Sequence, residues 1–207
     1  MIVVVDYGMG NLKSVENAAS SLGKQVVITS SKGTIKKAKK IIFPGVGHFA
    51  KAVYELKKRG IFSILKKKIE EGVPFLGICL GMQVLFHESE EAPGIKGLGV
   101  IKGKVKKFKI KKLIVPHMGW NQIKIRNQKI GEKDTKLFKD IKDGSFFYFV
   151  HSYYCLPSEK EVIASSTKYG IEFASSIHKQ NIWAVQFHAE KSQKSGLKLF
   201  DNFLKLC

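Results

Sequence analysis

The chain has 207 residues, 44% of them hydrophobic and 11% aromatic, enough to bury a core and to be read as one domain over 1–207. The formal net charge of +19 arises from 36 Lys and Arg against 17 Asp and Glu, yet Arg59 and Arg126 are the only arginines. Lysines scattered along a chain nearly without bidentate arginines argue for a solvated surface and against nucleic acid as a partner. No stretch approaches the ~18 apolar residues of a membrane span. The N-terminus lacks the basic start of a signal peptide. Cys79, Cys155 and Cys207 have no paired spacing, which points to a reducing, cytoplasmic setting and not to a disulfide framework.

The N-terminal half alternates strands and helices. Ile2 to Val5 reads as a central strand, and the glycine-bearing turn Asp6 to Asn11 opens a helix from about Leu12 to Leu22, stopped by Gly23. Gln25 to Thr29 and Ile41 to Phe43 are further strands, the latter expected to end at Pro44-Gly45. Phe49 to Lys58 and Ile61 to Glu70 have helical periodicity. Pro74 to Ile78 is an apolar run suited to a strand buried on both faces, followed by a helix from Leu80 to Phe86. This order predicts an α/β fold: an open, mostly parallel central sheet with helices on both faces.

After Pro93-Gly94 the pattern changes to further strands, expected to be antiparallel. They are Val100 to Ile110, Phe146 to Val150, Val162 to Ser165, Phe173 to Ile177 and Ile182 to Phe187. Residues 126–145 read as polar loop. Lys191 to Leu206 reads as a closing amphipathic helix, with Leu197, Phe200, Phe203 and Leu204 on its apolar side.

The chemistry concentrates at two places. Gly77-Ile-Cys79-Leu-Gly81 is a G-x-nucleophile-x-G pattern, in which flanking glycines let a strand turn sharply into a helix and expose the middle side chain. The start of that helix favours a thiolate. His188 and Glu190 follow the last predicted strand, where parallel sheets form their sites. A thiol nucleophile needs a base, and the base needs an orienting group, so Cys79, His188 and Glu190 form a candidate triad. The backbone N–H of Leu80 and the bare loop Pro44-Gly45-Val46-Gly47 are candidate oxyanion donors.

These motifs resemble the class I glutamine amidotransferases and, within them, the glutaminase subunits of imidazole glycerol phosphate synthases. The broader class is carried by Gly77 to Gln83 and Phe187 to Glu190. The narrower group is carried by Asp6 to Leu12, Pro44 to Phe49, Phe86 to Ala92, Pro116 to Asn121 and Tyr148 to Tyr153. The resemblance implies hydrolysis of glutamine to glutamate and ammonia, without metal or other cofactor. It also implies delivery of that ammonia to a (β/α)8 barrel cyclase in a heterodimer of histidine biosynthesis. By matching position, Gly47, Gln83 and Glu91 would hold the substrate's α-amino and carboxylate ends, with His151, Ser152 and Tyr153 lining the pocket. Val46 would belong to a strand that flips to complete the oxyanion hole. Asn11, Trp120 and Asn121 would face the partner and the ammonia exit. Ala189 stands where the family pattern has proline, which implies a looser catalytic loop. Two other readings stay open: the same glutaminase feeding a related barrel in surface-sugar amidination, and a catalytically silent basic interaction module.

Overall fold

In the computed structural model, which describes residues 1–111, 113–126 and 136–207, the expected alternation is present. In order come β1 (Ile2–Val5), α1 (Leu12–Ser21), β2 (Val27–Thr29), α2 (Lys32–Lys36), β3 (Lys40–Gly45), α3 (Phe49–Lys58), α4 (Phe62–Glu70), β4 (Phe75–Cys79) and α5 (Leu80–Gln83). The second half contains β5 (Phe86–Ser89), β6 (Ile101–Lys107), β7 (His117–Gln122), β8 (Lys124–Ile125), β9 (Phe146–His151) and β10 (Tyr153–Pro157). It closes with β11 (Ile163–Tyr169), β12 (Ile171–Lys179), β13 (Ile182–Val185) and α6 (Gln193–Leu206). The main sheet has the order β2-β1-β3-β4-β13-β12-β11-β8. The first five of these strands run parallel and the last three antiparallel.

The period-two alternation of the parallel strands builds a separate core on each face. Val3, Val5, Ile41, Phe43 and Phe75 point to the side covered by Leu56 of α3 and by Ile64 and Leu65 of α4. Val4, Ile42, Leu76, Ile78 and Val185 point to the side covered by Val15 of α1 and by Phe200 and Phe203 of α6. A layer of helices on each face satisfies both apolar surfaces of a parallel sheet.

Several boundaries differ from the sequence reading. The strand expected to stop before Pro44 continues through Pro44 and Gly45, paired with β4. Pairing to β1 ends at Ile42, so the missing N–H of Pro44 falls where the strand has a neighbour on one side only. The helix expected over Leu80 to Phe86 is a single turn ending at Gln83. Residues 98 to 101 claim the carbonyls of Val84 and Leu85 through Leu98, Val100 and Ile101, which draws the chain off into β5. The segments α2, β5, β7, β8 and β10 have no counterpart in the sequence pattern. Within the stretch read as polar loop, Leu137 and Phe138 are buried in a 3-10 turn over Lys136–Phe138. Residues 127–135 and Lys112 lie outside the described residues. On α6, Leu199 is buried with Phe200, Phe203 and Leu204, while Leu197 is only partly covered.

Among the described residues, no helix is long and apolar enough to cross a membrane.

Candidate active site

The turn from β4 to α5 holds Cys79 at φ 55° and ψ −109°, a backbone state that a side-chain-bearing residue adopts at a cost. The flanking glycines make the turn possible. A Cβ at Gly81 would collide with the carbonyl oxygen of Phe43 on β3, and one at Gly77 would stand 2.9 Å from the carbonyl oxygen of Gly81. The elbow therefore packs directly against β3 with no room for a methyl group. The cost in backbone strain is repaid in aim, since Cys79 stands at the carboxyl end of the parallel strands, where open α/β sheets form their sites.

Register decides what surrounds it. β3 pairs with β4 so that Gly45 is level with Cys79, which puts Val46 and Gly47 just past the elbow on one side. β13 pairs with β4 so that Val185 is level with Ile78, which puts Gln186 beside Cys79 on the other side, with His188 two residues on. The resulting pocket, about 300 Å³, is lined by Val46, Gly47, Cys79, Leu80, Gln83, Glu91, Pro116, Val150, His151, Ser152 and Tyr153. All six predicted substrate-holding residues and both predicted oxyanion positions thus stand around one cysteine. A wider cleft of about 420 Å³ near Asn121, Asp143 and Thr167 contains no cysteine or histidine.

His188 and Glu190 form the expected pair behind the pocket. Nδ1 of His188 lies 2.7 Å from Oε1 of Glu190, and both side chains are buried. Nε2 of His188 has no hydrogen-bond partner, while the ring lies close enough to Cys79 for the two to interact electrostatically. Burial alone would lower the His188 pKa. The Cys79 thiolate, followed by the Glu190 carboxylate, more than reverses this and raises it to about 10. The site thus favours an imidazolium at His188.

The loop that carries the pair is tied at several points. The Ser192 hydroxyl donates to the His188 carbonyl at 2.6 Å and accepts from the Tyr148 N–H at 3.0 Å. The His188 N–H donates to the Tyr148 carbonyl at 2.8 Å. Ala189 starts a 3-10 turn over Ala189–Lys191, a position where a proline would give up an N–H that the turn does not need. The substitution therefore leaves these anchors in place. Ser192 received no role from the sequence, and only its proximity to His188 could have suggested one.

Glu91, on the pocket wall, also makes a structural contact. Its Oε2 accepts from the Phe49 N–H at 2.7 Å, at the start of α3, and so ties the loop after β3 to the pocket wall. Gln83 donates through Nε2 to the Tyr153 carbonyl and to Oε1 of Gln186, both at 3.1 Å. Both amide hydrogens of Gln83 are therefore engaged, and its Oε1 retains the capacity to accept from a ligand.

The residues expected to face a partner lie outside this pocket. Asn11 caps α1, accepting from the Ser14 N–H at 3.3 Å. Trp120 is 46% exposed on β7 beside Met118, and stands edge-on to Tyr148. Asn121 turns inward, with its Nδ2 3.2 Å from Nε2 of His117 and 3.1 Å from the Lys168 carbonyl.

His117, within the Pro116-to-Asn121 motif, joins Asn121 to the pocket. Nδ1 of His151 faces the Tyr153 carbonyl at 2.8 Å and must carry a hydrogen. Its Nε2 is then bare and accepts from Nδ1 of His117 at 3.0 Å, which leaves Nε2 of His117 bare to accept from Asn121. Burial lowers the His117 pKa to about 4. Burial also lowers that of His151 to about 3, only partly opposed by the Tyr153 carbonyl. Nitrogen-15 spectra are expected to find both rings neutral and protonated on Nδ1, the tautomer opposite to the one preferred in water. An Nε2–H ring at either position would refute this chain. The two groups have folded pKa values below the unfolded 6.5, so the unfolded chain binds more protons. Their contribution is complete above pH ~6.5 and is lost as the pH falls through about 4 and then about 3.

The chain matches the family Glutamine amidotransferase class-I over residues 3–207. It is 51% identical over 209 residues to imidazole glycerol phosphate synthase subunit HisH of Methanocaldococcus jannaschii, covering 100% of both chains. It is 50% identical over 206 residues to the protein of the same name in Pyrococcus furiosus, covering 99% of this chain and 98% of that one. A solved structure titled as a glutamine amidotransferase superposes with a TM-score of 0.76 at 18% identity, covering 99% of this chain and 97% of the other, and so supports the fold alone. With the elbow cysteine, the sheet order and full-length matches in agreement, this chain belongs to the class I glutamine amidotransferases.

Proposed function

We propose that residues 1–207 act as one glutaminase domain, the ammonia-producing subunit of an imidazole glycerol phosphate synthase. The observation that carries the reading is the single pocket in which Cys79 meets Gln83, Glu91 and the loop at Val46 and Gly47, with the His188–Glu190 pair behind it. Cys79 attacks the side-chain carbonyl of glutamine as a thiolate. His188 gives its proton to the leaving ammonia and then takes one from the water that hydrolyses the thioester. Glu190 orients the ring and stabilises its charge. The Leu80 N–H and the Val46 loop supply the oxyanion donors. Oε1 of Gln83 accepts from the substrate's α-ammonium, the one role its engaged amide leaves open. Gly47, His151, Ser152 and Tyr153 shape the remaining wall.

The full-length relatives are named as subunits of imidazole glycerol phosphate synthase, which supports a second subunit as partner; the sequence resemblance makes that subunit a (β/α)8 barrel cyclase of histidine biosynthesis in a heterodimer. Trp120 and Met118 offer it an exposed apolar face on β7. The β-branched Val46 restricts its own backbone, while Gly47 at φ 105° supplies a pivot next to it. On this basis the isolated chain is a poor glutaminase, and docking of a barrel with bound acceptor completes the oxyanion hole. One missing donor corresponds to about 10² to 10³ in rate. Steady-state glutamate release is expected to rise by that factor when the histidine-pathway cyclase and its acceptor substrate are added. Activation only by a sugar-amidinating barrel would redirect the proposal to the second pathway. Equal rates in all mixtures would rule out coupling. Absence of glutaminase activity in every mixture would leave the basic interaction module.

A further inference from the structure

Gln186 is fully buried just past β13, in a stretch otherwise made of apolar side chains. Its backbone N–H is spent on the Ser175 carbonyl at 2.8 Å, so its side chain is not needed to complete the sheet. A fully buried amide is costly unless each end finds a partner. The partner at one end is Gln83 and at the other is the Cys79 sulfur, 3.7 Å from Nε2.

The direction of this amide is fixed by its neighbours. The Tyr153 carbonyl can only accept, so the group of Gln83 that faces it must be the NH2. The second hydrogen of that NH2 points to Gln186, which must therefore present its oxygen there. The NH2 of Gln186 is then left for the sulfur. A reversed amide would set two donors against each other at Gln83 and a carbonyl oxygen against the thiolate.

We infer that Gln186 is a further functional residue of the site, a neutral donor that holds the Cys79 sulfur in place and favours its thiolate. The inference rests on the reading of Cys79 as the nucleophile. A further polar contact of the sulfur supports it. The Val150 carbonyl, 4.0 Å away, can accept from a thiol but offers nothing to a thiolate. Loss of the proton therefore weakens the Val150 contact and strengthens the one to Gln186, since hydrogen bonds to charged groups are the stronger class. His188 supplies charge, and Gln186 supplies a fixed N–H from the neighbouring strand. The chain Tyr153–Gln83–Gln186–Cys79 also links the sulfur to Gln83. A ligand accepted by Gln83 is thereby referenced to the attacking atom.

The test is the pH dependence of Cys79 alkylation by iodoacetamide, in which the thiolate displaces iodide and forms a thioether, followed on the Cys79 peptide by mass spectrometry. Gln186→Leu and the straighter Gln186→Met both remove the donor. Each is expected to move the pH of half-maximal alkylation rate upward by about one unit, a tenfold loss of rate below that midpoint. A merely structural brace would leave the midpoint unchanged. A folded variant with the wild-type midpoint would overturn the inference. The wild-type protein gives an independent readout if neither variant folds. The side-chain amide signals of Gln186 are expected to titrate with the Cys79 midpoint and to lose that titration in Cys79→Ala. Signals indifferent to Cys79 would also overturn it. Glutamate release is measured separately in the wild-type complex, so failure of the glutaminase reading would be distinct from failure at Gln186.

Discussion

Cys79→Ala is expected to reduce glutamine hydrolysis on the order of 10⁴-fold or more, because covalent catalysis ends with the sulfur and triad members act as a unit. The fold should survive. Cys79 contributes one small side chain to the core, and the elbow is shaped by Gly77, Gly81 and the approach of β3. Stability is expected to change by about 1 kcal/mol, the usual size for a small substitution. The measurement is glutamate release by the barrel complex, together with a denaturation curve. An electrophilic glutamine analogue should label Cys79 alone in the wild type. Cys155 is fully buried, and burial pushes its thiol well above the ordinary range, so it should stay unlabelled. Labelling of Cys155 or Cys207 with Cys79 untouched would remove the nucleophile assignment.

His188→Asn comes next in size, with an expected loss of about 10² to 10⁴ in turnover. Asparagine can neither take up nor return the proton that ammonia must carry away. Glu190→Gln should cost less, since Glu190 holds the ring and does not transfer the proton. It should also leave a distinct signature. The Glu190 carboxylate is one of the groups that raise His188, so its neutralisation lowers the imidazolium pKa. The alkaline limb of the pH–rate profile is then expected to begin at lower pH in Glu190→Gln than in the wild type. A larger loss in Glu190→Gln than in His188→Asn, or an unshifted limb, would show that the two roles are assigned incorrectly.

The reactive groups are legible in the sequence because each sits in a local pattern. Gly77 and Gly81 around Cys79 mark a turn that only small neighbours permit, and the backbone at φ 55° bears this out. The apolar runs from Ile2, Ile41 and Pro74 mark strands buried on both faces. The helices at Phe49 and Ile61 follow from residues three and four apart meeting on one face. Short elements escape such reasoning. α5 is one turn and β5 four residues, and whether Val84 and Leu85 continue a helix depends on residues 98 to 101, which compete for their carbonyls. Pro44 could remain in a strand only because β1 ends beside it, which is again a fact about a neighbour.

The same division holds within the site. The sequence by itself singled out Cys79, His188 and Glu190 as the candidate nucleophile, base and orienter, since each carries its reactivity in its own side chain. The tertiary structure alone decided that Gln186 is level with Cys79, because that follows from the register between β4 and β13, which are distant in sequence. It alone decided that His117 and His151 are neutral rings joined by a hydrogen bond, because their tautomers are set by the Tyr153 carbonyl at one end and Asn121 at the other. Reactivity is a property of a residue and can be read along the chain. The direction of a hydrogen bond belongs to a pair of groups, and long-range strand pairing brings such pairs together only in the folded molecule.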